Sequence, residues 1–247
     1  MSRVIRAARD EVDSVDVLVM PESALDESEI TGLEALLQRS GVVMLIAGVR
    51  QTLVQGERTT GNWVHIGTST GLQKGGVTGK QGVAPWFHIR QNKHHRWSLD
   101  EKQIYQYHLG GALHPRIRWW ERTEIPCRNL QFVELGDEAT LVSLVCEDLA
   151  QIDDVARIMR EVGPTVVIAP LLDGPQLTSR WAARYASVLA DDPGSAVLTL
   201  SAFGMVQRSK PHGRGSSPIV ALWKDPVRGS REIPLEPGAQ GGVAYAV

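Results

Sequence analysis

Cysteine is scarce: Cys127 and Cys146 are the only two in 247 residues. Two thiols make no disulfide framework, and such sparing use suits a reducing cytosol. A surplus of charge is missing too. Lys plus Arg number 26 and Asp plus Glu 28, a formal net charge of −2. Without a basic excess the sequence gives no argument for direct nucleic-acid binding. No apolar run approaches the ~20 residues of a membrane-spanning helix. The segment Met1–Asp10 is too charged for a secretory signal and lacks its apolar core. A cytoplasmic protein with no membrane partner is expected. Metal motifs are absent as well: there is no HxH, HExxH or CxxC. The adjacent His94 and His95, on an extended segment, point to opposite faces and make a poor ligand pair. The reading therefore assigns no metal. A phosphate loop is excluded in the glycine-rich stretch 67–82. Residue 74 is Lys where a glycine is required, and Gln81 stands where Ser or Thr would hold magnesium. That stretch reads as a hairpin or loop.

What is present is an alternation of strands and helices. With 43% hydrophobic residues the chain can bury one substantial core, or at most two small ones. No linker or internal repeat divides it, so one domain spanning 1–247 is expected. Residues 3–12 read as an amphipathic helix and Asp16–Met20 as a buried strand. Glu27–Ser40 is a helix closed by Gly41. Strands follow at Val42–Val49, Asn62–Gly67, Val83–Gln91, Ile117–Glu124 and Asn129–Leu135. Trp119-Trp120 reads as a core or interface anchor. The apolar run from Thr140 to Val145 is a buried strand, and 151–162 has helical spacing. Then come a strand at Thr165–Leu171, a helix from Pro175 to Ala190 and a strand at Ser195–Phe203. A basic loop at 207–217 and strands at Ile219–Trp223, Arg231–Leu235 and Val243–Val247 close the chain. This pattern predicts an α/β fold with two sheets between helix layers.

Three of these strands end on reactive groups. Glu22 follows Met20-Pro21, Lys93 follows Gln91-Asn92, and Cys146 ends the run Thr140-Leu-Val-Ser-Leu-Val. The carboxyl edge of a sheet is where open α/β folds place their chemistry. A thiol beside the backbone N–H groups of a following turn can have a lowered pKa. A carboxylate, an ammonium and a thiol together suffice for acyl transfer. The carboxylate takes the thiol proton, the sulfur attacks a carbonyl or nitrile carbon, and the ammonium stabilises the oxyanion. Glu101 is the candidate second carboxylate, holding the lysine and a water. His94, His95, Glu147 and Asp173 are the candidate substrate-facing residues. Bland readings stand beside these: Cys146 as a small buried hydrophobe, Glu22 as a turn residue and Lys93 as a solvated lysine.

The ordered set of pieces resembles the carbon–nitrogen hydrolase (nitrilase) superfamily. The matching pieces are Val17-Leu-Val-Met-Pro-Glu22, Lys93 with Glu101, and Leu144-Val-Cys146-Glu-Asp-Leu149. Further along are Ile168-Ala-Pro170, the Trp181 and Arg184 helix, Ser201-Ala-Phe-Gly204 and Gly215-Ser-Ser217. The resemblance implies an αββα sandwich with mixed sheets. It also implies Glu22 as base, Lys93 as oxyanion support, Cys146 as nucleophile and Glu101 as second acid. The implied reaction is hydrolysis of a non-peptide C–N bond in a small amide, carbamoyl or nitrile substrate, through a thioester and with no cofactor. Family members dimerise, which here implies a homodimer through about 151–162 and 176–190. The family opens with a strand before its first helix. This chain starts at the helix, so the expected fold lacks that first strand, as in a truncated domain or one that has lost an edge strand. Around Lys93 the chain reads Gln91-Asn92-Lys93-His94-His95-Arg96 instead of the family's aromatic-Arg-Lys-x-His-Leu, leaving Lys102 and Lys80 as alternatives. Asp173-Gly-Pro-Gln-Leu177 and Leu189-Ala-Asp-Asp-Pro-Gly-Ser195 resemble a divergent subgroup associated with bacterial reverse-transcriptase defence proteins. That implies a reverse-transcriptase partner or fused module. Two other functions fit the same residues: an acyltransferase, and a catalytically silent module for oligomerisation or partner binding.

Overall fold

The computed structural model describes residues 1–54, 57–69, 85–137, 139–151, 155–209 and 217–235. Helix α1 (Ser2–Val12) leads into strand β1 (Val17–Leu25), a single 3-10 turn (Glu27–Glu29) and helix α2 (Ile30–Arg39). Strands β2 (Met44–Val54), β3 (Glu57–Ser69) and β4 (Trp86–Asn92) complete a first sheet of order β1-β2-β3-β4. A strap follows, with β5 (Ser98–Leu99), α3 (Glu101–Gln106) and β6 (Trp119–Trp120). Asp100 caps α3 by accepting from Gln103 N, and Asp100 N in turn donates to Gln103 Oε1.

The second sheet has the order β12-β11-β10-β9-β8-β7. Its members are β7 (Phe132–Leu135), β8 (Ala139–Ser143), β9 (Val166–Leu171), β10 (Ala196–Ser201), β11 (Ile219–Asp225) and β12 (Gly229–Pro234). Between them lie α4 (Glu147–Ala150), α5 (Ala156–Val162), α6 (Trp181–Asp191) and α7 (Phe203–Arg208). β8, β9 and β10 run parallel, while β7, β11 and β12 are antiparallel to their neighbours.

Period-two alternation sorts the strand residues between layers. Met44, Ile46, Val64 and Ile66 of the first sheet meet Val133, Leu141 and Ile168 of the second, forming the central core. Leu45 and Ala47 point the other way, onto Ile5 of α1 and Leu37 of α2. On the far side, Val142, Val167, Ala169 and Leu171 pack on Met159 of α5 and Ala182, Ala186 and Leu189 of α6. Each fully buried aliphatic side chain contributes about 1.5–3 kcal/mol. The result is the expected αββα order of layers, with α1 ahead of β1. Among the described residues no helix is long and apolar enough to cross a membrane.

The chain departs from the sequence reading in several places. The strand expected over 117–124 shrinks to β6, which ladders only with the two residues of β5. Trp119 and Trp120 are exposed there, so they do not anchor the core. Of the helix expected over 151–162, the structure has α5 from Ala156 to Val162, while the backbone turns into the separate single-turn helix α4 directly after Cys146. The helix expected from Pro175 starts at Trp181, since turns closed by Leu177 N to Pro175 O and Arg180 N to Leu177 O fill the interval. β10 stops at Ser201, and α7 occupies a stretch expected to be strand end and basic loop. Most of the 67–82 loop, with Lys80, the loop from 210 to 216 and the strand at Val243–Val247 lie outside the described residues.

Candidate active site

β1 and β2 run in parallel register from Val17↔Met44 to Met20↔Ala47 and resume at Leu25↔Val49. The four residues Pro21 to Ala24 therefore face a single residue, Gly48, across the ladder. Pro21 has no N–H to give, so a bulge here costs little pairing. Gly48 lets the bulge close: a Cβ there would collide with the Pro21 carbonyl and Glu22 Cα, and would stand 2.6 Å from Ser23 N. Ser23 takes a positive φ of 57°. The bulge turns Glu22 inward, where it is 2% exposed.

Cys146 is placed by a second sharp corner. The parallel ladder between β8 and β9 runs on past Ser143, with Leu144 N donating to Ile168 O (3.0 Å) and Cys146 N to Pro170 O (3.1 Å). At Cys146 the backbone takes φ 50° and ψ −104°, and α4 begins at the next residue. A non-glycine residue in this region is strained, and such strain clusters at functional sites.

Lys93, 1% exposed, follows β4 and joins the two corners. Its Nζ donates to Glu22 Oε1 at 2.9 Å and to Glu121 Oε2 at 2.7 Å. Asn62 Nδ2 reaches the same two carboxylates, at 2.6 Å from Glu22 Oε1 and 2.6 Å from Glu121 Oε1. Trp97 N donates to Glu121 Oε2 at 3.2 Å. Glu22 Oε2 is buried without a hydrogen-bond partner among the described residues. Glu22, Asn62, Lys93, Glu121 and Cys146 all line one cavity of about 240 Å³, walled by Trp97, Leu113, Trp119, Trp120 and Leu172.

Burial alone would lower the pKa of the Lys93 ammonium. Glu22, the Cys146 sulfur whenever it is ionised, and Glu121 outweigh that cost and raise it, so Lys93 is charged. The Cys146 thiol moves the opposite way from the sequence expectation. Burial, and then the negative charge of Glu22, push it well above the ordinary value; Lys93 and the backbone N–H of Leu172 pull it down and lose. At 6% exposure the sulfur is shielded from the water that would stabilise a thiolate. The resting group is the protonated thiol.

Of the eight residues singled out from sequence, Glu22, Lys93 and Cys146 come together. Glu101 does not: it lies exposed in the first turn of α3, and Glu121 supplies the second carboxylate. Lys102, beside Glu101 on α3, is exposed as well. His94 is buried beside Gln91 Nε2 (3.2 Å) and Asn129 O (3.2 Å), a packed position outside the cavity of Cys146. His94, His95 and Glu147 instead border an adjoining cavity of about 720 Å³, which shares Trp97 and Trp120 with the smaller one. Asp173 is taken up internally. It accepts from Tyr107 Oη (2.5 Å), from Arg180 Nη2 at both oxygens (2.7 and 2.9 Å) and from Trp181 Nε1 (2.8 Å), and it lines neither of these two cavities.

Asp148, two residues after the cysteine, is a further member that sequence reasoning passed over. Its buried carboxylate accepts from His94 N at both oxygens (3.0 and 3.0 Å), from His95 N (2.8 Å), and lies 3.0 Å from His95 Nδ1. Burial raises its pKa against the pull of these donors. It clamps the backbone just after Lys93 to the turn that carries Cys146.

No protein-family model and no curated protein sequence matches the chain. Solved structures do. A cysteine-to-alanine mutant of the Nesterenkonia AN1 amidase, from the nitrilase superfamily, superposes with a TM-score of 0.58 at 14% identity, over 96% of this chain and 80% of that one. Saccharomyces cerevisiae Nit3, a nitrilase-superfamily member, gives 0.58 at 13% identity over 94% and 77%. A carbon–nitrogen hydrolase from Helicobacter pylori G27 gives 0.52 at 13% identity over 94% and 80%. The chain has the αββα fold of the nitrilase superfamily. At these identities the likeness speaks for the fold alone.

Proposed function

We propose that the protein is an amidase-type carbon–nitrogen hydrolase working through a thioester on Cys146. One observation carries the reading. Glu22 has one oxygen pinned by Lys93 and Asn62 and the other left without a partner, in the cavity that holds the protonated Cys146 thiol. A carboxylate held in that way is a general base. As the sulfur attacks the substrate carbonyl, the S–H proton passes to Glu22. An ammonium has three donors, and two of those on Lys93 are engaged with Glu22 and Glu121. The third is left for the developing oxyanion. Protonated Glu22 gives its proton to the leaving amine as the C–N bond breaks. Water, deprotonated by Glu22 beside Glu121, then cleaves the thioester to the acid and restores the thiol.

The cavity of about 240 Å³ suits a small acyl group, and the rest of the substrate extends past Trp97 and Trp120 into the larger cavity. An open cavity, not one filled by the chain's own side chains, favours this reading over a catalytically silent module. The deciding experiment is mass spectrometry after incubation with a panel of amides and nitriles. A substrate-derived acyl mass on the Cys146 peptide, absent from Cys146→Ala, is expected; its absence across the panel would sink the proposal. An amine acceptor in place of water would make the same site an acyltransferase, seen as amide products. A cytoplasmic homodimer completes the reading, with Ile158 and Val162 of α5 and Val188 of α6 exposed for the contact. Association with a reverse transcriptase rests on the sequence resemblance alone.

A further inference from the structure

Another buried carboxylate lies against the outer face of the first sheet. Glu34 projects from α2 at 5% exposure, on a helix whose other buried residues are Ile30 and Leu37. A charge between helix and sheet is costly unless something receives it. Two imidazoles do. Glu34 Oε1 is 2.8 Å from His65 Nε2 on β3, and Glu34 Oε2 is 3.1 Å from His88 Nε2 on β4. Gly67 pairs with His88 across the ladder, and His65 lies two residues before Gly67, so both rings stand on one face. Their centroids are 5.2 Å apart, and one ligand atom from each of the three residues lies within 4.8 Å of the others. Gly67 keeps the space beside them clear. A Cβ there would sit 2.5 Å from Glu34 Oε1 and 2.7 Å from His65 Nε2. Ile66 and Val64, on the opposite face, show that this strand otherwise accepts large side chains. None of the three residues lines the cavity of Cys146.

We propose that Glu34, His65 and His88 bind a divalent first-row transition ion, Zn²⁺ in the first instance. Two imidazoles and one carboxylate form a zinc donor set, with the fourth position left to water. That position faces solvent through His88, whose side chain is 55% exposed. Mg²⁺ and Ca²⁺ prefer all-oxygen ligands and are not expected here. Zinc-to-ligand bonds of about 2.0–2.2 Å put tetrahedral donors roughly 3.3 Å apart. The Glu34 Oε1–His65 Nε2 pair at 2.8 Å opens by about half an ångström, and the remaining pairs, all within 4.8 Å, close by at most about 1.5 Å, a shift the exposed His88 ring can make. Each neutral ring keeps one proton, carried on Nδ1 so that Nε2 offers its lone pair to the ion. The ligands come from α2, β3 and β4, so the ion ties helix to sheet.

The test uses the full chain, freed of metal by a chelator and dialysed. Zn²⁺ alone, and Co²⁺ as its coloured substitute, are titrated into the wild type, His88→Ala and Glu34→Gln. The wild type is expected to show one saturable site, a melting temperature raised by Zn²⁺ but not by Mg²⁺, and visible Co²⁺ bands of low coordination. His88 is exposed, so its replacement should leave the circular dichroism unchanged while weakening Zn²⁺ binding by at least about 100-fold, the upper end of what losing a mere outer-shell partner costs. Equal affinity in the wild type and His88→Ala, or no saturable site in the wild type, overturns the proposal. Should Glu34→Gln fail to fold, His88→Ala decides alone.

Discussion

Glu22, in the bulge inside β1, and Asp173, just past the end of β9, are both buried carboxylates, yet their surroundings differ. Asp173 is saturated: Tyr107, Arg180 and Trp181 donate to its two oxygens. Glu22 is half-saturated, with Oε1 held twice and Oε2 left over. A carboxylate with every lone pair engaged acts as a fastener. One with a spare oxygen beside a thiol, at the cost of burying an unpaired acceptor, is ready to accept a proton.

The comparison breaks most sharply at Cys146, the proposed nucleophile. Cys146→Ala should cost about a millionfold in turnover, the order seen when a covalent nucleophile is removed. Glu22→Gln should keep the fold and lower kcat by about 10²–10⁴-fold, the share of a general base. Turnover assays on variants matched by circular dichroism decide; equal activity of Glu22→Gln and wild type would remove the distinction between the two acids. Asp148→Ala frees the backbone after Lys93 and should cost about 100-fold in kcat, as misplacement of a reacting group does. Asp173→Asn should act on the other axis. A denaturant titration is expected to show a loss of about 2–3 kcal/mol, with activity per folded molecule retained.

The smallest effect is the most specific. With no substrate present, iodoacetamide at neutral pH should label the exposed Cys127 before the buried Cys146. Labelling of Cys146 should still be rising beyond the ordinary thiol value of 9.0. The linkage has a definite sign. The folded thiol pKa lies above the unfolded one, so above that ordinary value the unfolded chain loses its proton first and stability falls as pH rises. Peptide mapping across pH checks the labelling, and melting curves check the slope.

The layers and the three side chains that come together, Glu22, Lys93 and Cys146, were legible because each rests on a local pattern. An apolar strand ending on Glu22, Lys93 or Cys146 can be read within ten residues. Glu121 was hidden because it follows a two-residue strand that pairs only with another of the same length. Asn62 was hidden inside β3, where an inward polar residue looks like ordinary alternation. Glu101 lies close to Lys93 in sequence, but α3 turns it to solvent. Glu34, His65 and His88 lie 31 and 54 residues apart in their pairings, a cluster that only the register of β3 and β4 with α2 assembles. The low thiol pKa expected from a strand-to-helix corner failed because burial and Glu22 outweigh the nearby donors.

Both Glu22 and Cys146 owe their direction to main-chain geometry: a bulge opposite Gly48 in one case, a left-handed corner in the other. Neither depends on which rotamers the surrounding aromatic walls adopt. Trp97, Leu113, Trp119 and Trp120 can therefore be exchanged for other shapes, remoulding the cavity, while acid and sulfur keep their aim.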